Sequence, residues 1–159
     1  CTMGPSTSSI WVSILKSGIV VGILDAIAAI VHAYLFNGST PDAVFRYVAT
    51  GLFGKTALSG GLPTAFAGLA LHFTVAISWT ALFYVLYPRI KFLSTSMLLS
   101  GIAYGLFIWL MMNFVVVPLS PVPAGPIRIR LATLFMIAIH LFVIGVPISW
   151  LTSRFFKGA

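Results

Sequence analysis

Four stretches of this chain are apolar for more than 20 residues each: Ile10–Phe36, Pro63–Tyr87, Ser96–Val117 and Leu131–Phe155. About 20 residues of helix cross the hydrocarbon core of a bilayer, so each run is long enough to span it. Only 7% of the residues are charged, against about 25% in a soluble domain. So few charges cannot cover a surface facing water, and the chain must be solvated by lipid. An outer-membrane barrel needs alternating polarity over roughly ten-residue strands, and these runs are continuous. The expected fold is therefore all-α: one transmembrane domain over residues 1–159, built as a four-helix bundle. The net charge of +7 does not point to nucleic acid. The basic residues form no stripe and sit in the connections, where membrane proteins keep them.

The connections differ in character. "YPRIKF" reads as a tight basic turn. "PLSPVPAGPIRIR" is too rich in proline to be helical throughout, and Pro118 is expected to close the third span at Val117. The first connection, Asn37–Leu62, predicts a short helix over residues 41–54, lying flat at the interface or re-entering the membrane. Ser39 or Thr40 can cap it, Pro41 suits its first turn, and Asp42 meets the positive end of its dipole. The side with both termini carries Lys16, Arg89, Lys91, Arg154 and Lys157; the other carries Arg46, Lys55, Arg128 and Arg130. This small bias predicts cytoplasmic termini. The first run is too long for a signal peptide and is read as a retained span. With Cys1 as the single cysteine, no disulfide forms within the chain. "CTMGPSTSS" reads as an added remnant around a start at Met3, with a lipidated Cys1 as the alternative.

Polar residues inside the runs are the functional lead. "GIVVGILDAIAAIVHAYLF" holds Asp25 and His32 in an otherwise apolar stretch. At about 100° per residue, Gly18, Gly22, Asp25, Ala29 and His32 fall within an arc of roughly 80°. Both polar groups therefore look into the bundle, and Gly18-x-x-x-Gly22 permits close helix approach. Ala65, Gly68, His72, Ala76 and Trp79 share a face of the second span. Gly101 and Gly105 form another close-packing pair, with Asn113 further along. Thr133, Met136, His140, Ile144 and Pro147 align in the fourth. Measured from the edge carrying the first and third connections, His32 and Asn113 lie about 6 Å deep, His72 and His140 roughly 12–14 Å, and Asp25 about 17 Å. The opposite half reads as aliphatic and aromatic.

A charge at mid-bilayer costs from about 2.5 to over 10 kcal/mol, so Asp25 is expected to hydrogen-bond a histidine or an ordered water. The predicted site is a one-sided polar pocket of Asp25, His32, His72, Asn113 and His140, with Arg128 and Arg130 at its mouth. Structural readings stand beside it. Asp25 could sit protonated against a carbonyl, each histidine could be an interhelical hydrogen bond, and Asn113 could be helix glue. Arg128 and Arg130 could hold lipid phosphates.

Gly18, Asp25, His32, "RYVATGLFG", Gly60–Gly61, His72 and "MNFVVVPLS" together resemble a family of small four-span bacterial inner-membrane proteins. The resemblance implies that membrane and a four-helix fold, and it brings no activity. Three functions compete. The first is binding or carrying a small polar or amphipathic ligand, a lipid included. The second is a structural or interaction subunit of a membrane complex whose glycine faces pack a partner, a second copy of the chain included. The third is a metal or haem protein ligated by His32, His72 and His140, although no cofactor is predicted. Lipid chemistry with Asp25 and His72 as an acid–base pair is disfavoured, because no activated nucleophile is visible.

Overall fold

The computed structural model describes residues 7–123, 125–126 and 128–158; Cys1 and Met3 lie outside them. Among the described residues there are helices and no strand. Helix α1 is Thr7–Asn37, α2 is Pro41–Phe53, α3 is Leu62–Leu86 and α4 is Lys91–Thr95. Two longer helices follow, α5 over Met97–Leu119 and α6 over Leu131–Gly158. Helices α1, α3, α5 and α6 are each long and apolar enough to cross a membrane, as the four runs predicted. The chain is an all-α, multi-pass membrane bundle.

Its packing inverts that of a soluble bundle. Ile19, Ile23, Ile27 and Val31 of α1 point outward, where lipid receives them. Small and hydroxylated residues point inward: Ser17, Thr80, Ser100, Ser149 and Thr152 are all buried. They are the polar exceptions in a terminal-side half that reads as nearly all aliphatic and aromatic. Thr80 and Thr152 donate to the carbonyls of Ala76 and Ile148 one turn back, at 2.9 and 2.8 Å. Ser17 Oγ lies 3.0 Å from the Tyr84 hydroxyl. Ser149 Oγ has no partner among the described residues; the other hydroxyls are satisfied and add little bulk, so the helices still approach closely. Phe83, Ile148, Val21 and Tyr104 fill the core between them. At the outer edge of that half, Trp11 and Trp150 are exposed, as an interfacial belt requires. Arg154 stacks over the Trp150 ring at 5.1 Å.

Glycine sets the crossing points. A Cβ at Gly18 would stand 2.7 Å from Ile77, and one at Gly22 2.7 Å from the Phe73 ring, so α1 meets α3 along the predicted face. A Cβ at Gly101 would stand 2.7 Å from Val146 Cα, and one at Gly105 the same distance from Leu141 Cα, which joins α5 to α6. These glycine faces close helix pairs within one chain.

Helix α2, the short helix expected between the first two spans, packs against the bundle. Gly68, six residues past Leu62 and so about 9 Å along α3, faces the backbone of Phe45 and Ala49. Ala49 and Thr50 are fully buried, so α2 packs on the flank of a membrane-spanning helix. Gly38 and Gly54, both at φ +63°, let the chain turn at either end of it. Arg46 Nη1 reaches Asp42 Oδ2 at 3.1 Å and the Gly60 carbonyl at 3.2 Å, tying α2 to the start of α3.

A hydrogen bond from Thr40, with Arg46 adding to it, holds the Asp42 carboxyl below its usual 3.8. A lowered folded value stabilises the docked state above the ordinary carboxylate range, and the effect fades as pH falls through that lowered value. Amide exchange along α2 should therefore rise once pH drops below about 3.8, relative to exchange in α3. Thr40→Val should flatten the step and Arg46→Met should reduce it less; an unchanged step in Thr40→Val would disprove this account.

Two departures from regular helix matter for the site. Helix α5 does not stop at Val117: Met112–Val116 forms a wider π-helical turn, and Val117–Leu119 closes the helix beyond it. Pro118 was expected to end the span because it has no N–H and crowds the preceding turn. The wide turn absorbs that mismatch, with the Val117 N–H reaching the Met112 carbonyl five residues back. The same device recurs in α6, where Ile139–Gly145 is π-helical ahead of Pro147 and the Val146 N–H reaches Leu141.

Candidate functional site: two polar cavities

Asp25, His72 and His140, from three different spans, line one cavity of about 140 Å³. Val21, Val48, Val75, Trp79, Ile108, Met112 and Ile144 are among its walls. All four spans and α2 therefore contribute to it. Asp25 Oδ2 lies 3.9 Å from His72 Nε2, and His140 lines the same hollow.

The direct hydrogen bond expected between Asp25 and a histidine is not formed. His72 Nε2 instead donates to the Gly22 carbonyl at 2.9 Å, one helical turn before Asp25. A Cβ at Gly22 would stand 2.7 Å from the Phe73 ring, so the glycine lets α3 come close to α1 beside this bond. The Phe45 and Phe73 rings meet the His72 ring edge-on, at centroid distances of 6.1 and 5.6 Å.

His140 is positioned by the wide turn. Its Nδ1 donates to the Met136 carbonyl at 2.8 Å. Asn113, at the equivalent place in α5, donates from Nδ2 to the Trp109 carbonyl at 2.8 Å. Each is the second residue of its π-helical segment, and each bonds the carbonyl four residues back. Where a helix changes from four-residue to five-residue bonding, a carbonyl loses its usual donor, and the side chain supplies one. π-Helical turns are often found at functional sites.

His32, Asn113 and Arg128 line a second cavity, of about 280 Å³, with Trp109, Pro126, Ala132, Thr133 and Met136. It shares no lining residue with the first. It abuts a third hollow, of about 370 Å³ beneath the proline-rich loop, with which it shares Asn113 and Pro126. His32 Nε2 donates to the Ala132 carbonyl at 2.9 Å and so ties α1 to α6. Arg130 lines none of these three cavities and is exposed.

The predicted residues thus fall into two groups. The three deepest, Asp25, His72 and His140, meet; His32, Asn113 and Arg128 meet nearer the edge; Arg130 stands apart. The three histidines do not converge. Among the described residues, no group of three or more His, Cys, Asp or Glu side chains is placed to hold a metal ion. Sequence reasoning missed Val48 as a wall of the deep cavity, because the depth of α2 is not written in its own pattern. It also missed Thr133, Met136 and Trp109 as walls of the shallow one. Thr133 and Met136 had been aligned on one face with His140.

This architecture defines a multi-pass membrane bundle with an acid and two imidazoles gathered inside it. Compared with known proteins, the chain matches no family model, no curated protein and no solved structure. The resemblance to small four-span inner-membrane proteins therefore rests on the quoted residues alone.

Proposed function

We propose that this protein binds or carries a small polar ligand in the deep cavity between its spans. The observation that carries the reading is the meeting of Asp25, His72 and His140, from three helices, on one hollow of about 140 Å³. Ionisable groups are rare inside membrane spans, and those present commonly mark substrate or ion pathways. A purely structural role would need no space beside them. The hollow is close in size to an engineered cavity of about 150 Å³ that accepts benzene, so the ligand has about six non-hydrogen atoms or fewer. In this reading the protein sits in a bacterial inner membrane with both termini cytoplasmic, and the ligand arrives from the side of α2.

The test is thermal melting of the purified chain in detergent against a panel of small polar molecules. At least one should raise the melting point saturably, and the rise should vanish in Val75→Phe, which narrows the hollow and leaves its ionisable residues in the sequence. A panel that leaves the wild-type curve unmoved, or a rise that persists in Val75→Phe, would defeat the proposal.

A further inference from the structure

We infer that the deep cavity selects a small cation bearing N–H donors, of the ammonium or short primary amine class. The inference rests on the proposed ligand-binding reading and names the ligand's chemistry. It follows from which ring nitrogens are already engaged. His72 uses Nε2–H on the Gly22 carbonyl, and His140 uses Nδ1–H on the Met136 carbonyl. A neutral imidazole has one donor and one acceptor. With both rings neutral, His72 has Nδ1 left and His140 has Nε2, as acceptors.

Asp25 adds two carboxylate oxygens, and no hydrogen bond among the described residues ends on them. Of the side chains lining the hollow, the Trp79 indole carries the one N–H donor not already engaged. The remaining walls are aliphatic or thioether. A site so rich in acceptors cannot satisfy an anion, whose oxygens would face a carboxylate and two nitrogen lone pairs. An ammonium group answers it, since its charge neutralises the acid and its several N–H bonds can be accepted by Asp25 and by the other acceptors around the hollow. Trp79 adds an aromatic ring to the lining of the hollow. The basic side chains do not compete for Asp25. Arg46 pairs with Asp42, and no lysine or arginine lines the hollow.

The experiment titrates the detergent-solubilised chain with chloride salts of ammonium, methylammonium, ethylammonium, tetramethylammonium and sodium. Ethanol and sodium acetate serve as neutral and anionic molecules of similar size. Binding is read by melting point and by calorimetry. Methylammonium and ethylammonium should stabilise saturably, whereas tetramethylammonium, which has no N–H, and sodium should not. Asp25→Asn should weaken methylammonium binding about tenfold or more, the factor carried by one charge-assisted hydrogen bond. Val75→Phe, which leaves Asp25 in place, should abolish it. Saturable binding of ethanol or acetate without the amines would overturn the cation assignment and leave the ligand-binding reading intact. Equal binding of tetramethylammonium would also overturn the assignment. No response to any compound would count against both.

Discussion

Gly105→Ala is expected to destabilise the protein by about 1–3 kcal/mol, the usual range for a group forced into a packed interior. In an open helix the same change would stabilise by about 1 kcal/mol, because alanine is the better helix former. The sign is therefore the test. A Cβ at Gly105 would overlap the His140 carbonyl oxygen and stand 2.7 Å from Leu141 Cα. Both are backbone atoms of α6, so neither can swing aside as a flexible side chain would. Relief requires α5 and α6 to separate, which would also move His140. Gly51→Ala is the matched control, since its nearest neighbour would be the end of the Leu71 side chain at 3.4 Å. It should be neutral or stabilising. Unfolding in mixed micelles measures both, and a Gly105→Ala protein as stable as wild type would refute the backbone-to-backbone contact.

Phe83→Ala is expected to lower stability by about 2 kcal/mol. Phe83 is fully buried and packs against Tyr104 at a ring-centroid distance of 4.7 Å. In water, losing it would forfeit both hydrophobic transfer and packing, for a total of about 3–5 kcal/mol. Between membrane helices the transfer contribution largely disappears, because lipid tails are as apolar as the core. What remains is the void. Roughly 100 Å³ of lost side chain at about 24 cal/mol per Å³ gives a little over 2 kcal/mol. Phe66→Ala serves as the comparison, because Phe66 is 67% exposed on the outer face of α3 and should change stability little. Equal effects at the two positions would mean that the centre of the bundle is not packed as described.

Much of the architecture was legible in the residues. Run length placed four spans, and the pattern of Pro41, Asp42, Val44, Phe45 and Val48 placed α2. The depth ordering also carried information. Counting rises of 1.5 Å set Asp25, His72 and His140 apart from His32 and Asn113, and the two cavities divide along that line. The division into separate hollows was not legible. It depends on where α5 and α6 cross, and that is set jointly by Gly101, Gly105 and Gly145. The π-helical turns had a visible signal in Pro118 and Pro147. A proline, however, permits either a helix end or a widened turn, and neighbouring helices decide which.

The sequence by itself determined the solvent of this protein, the number of its spans and the faces turned inward, because length, hydropathy and helical period are local properties of a chain. Only the tertiary structure decided that α2 docks on the flank of α3, that His72 bonds Gly22 instead of Asp25, and that His140 meets the acid while His32 does not. Those outcomes turn on gaps of one methyl group between helices. Such gaps exist only once two distant segments have met.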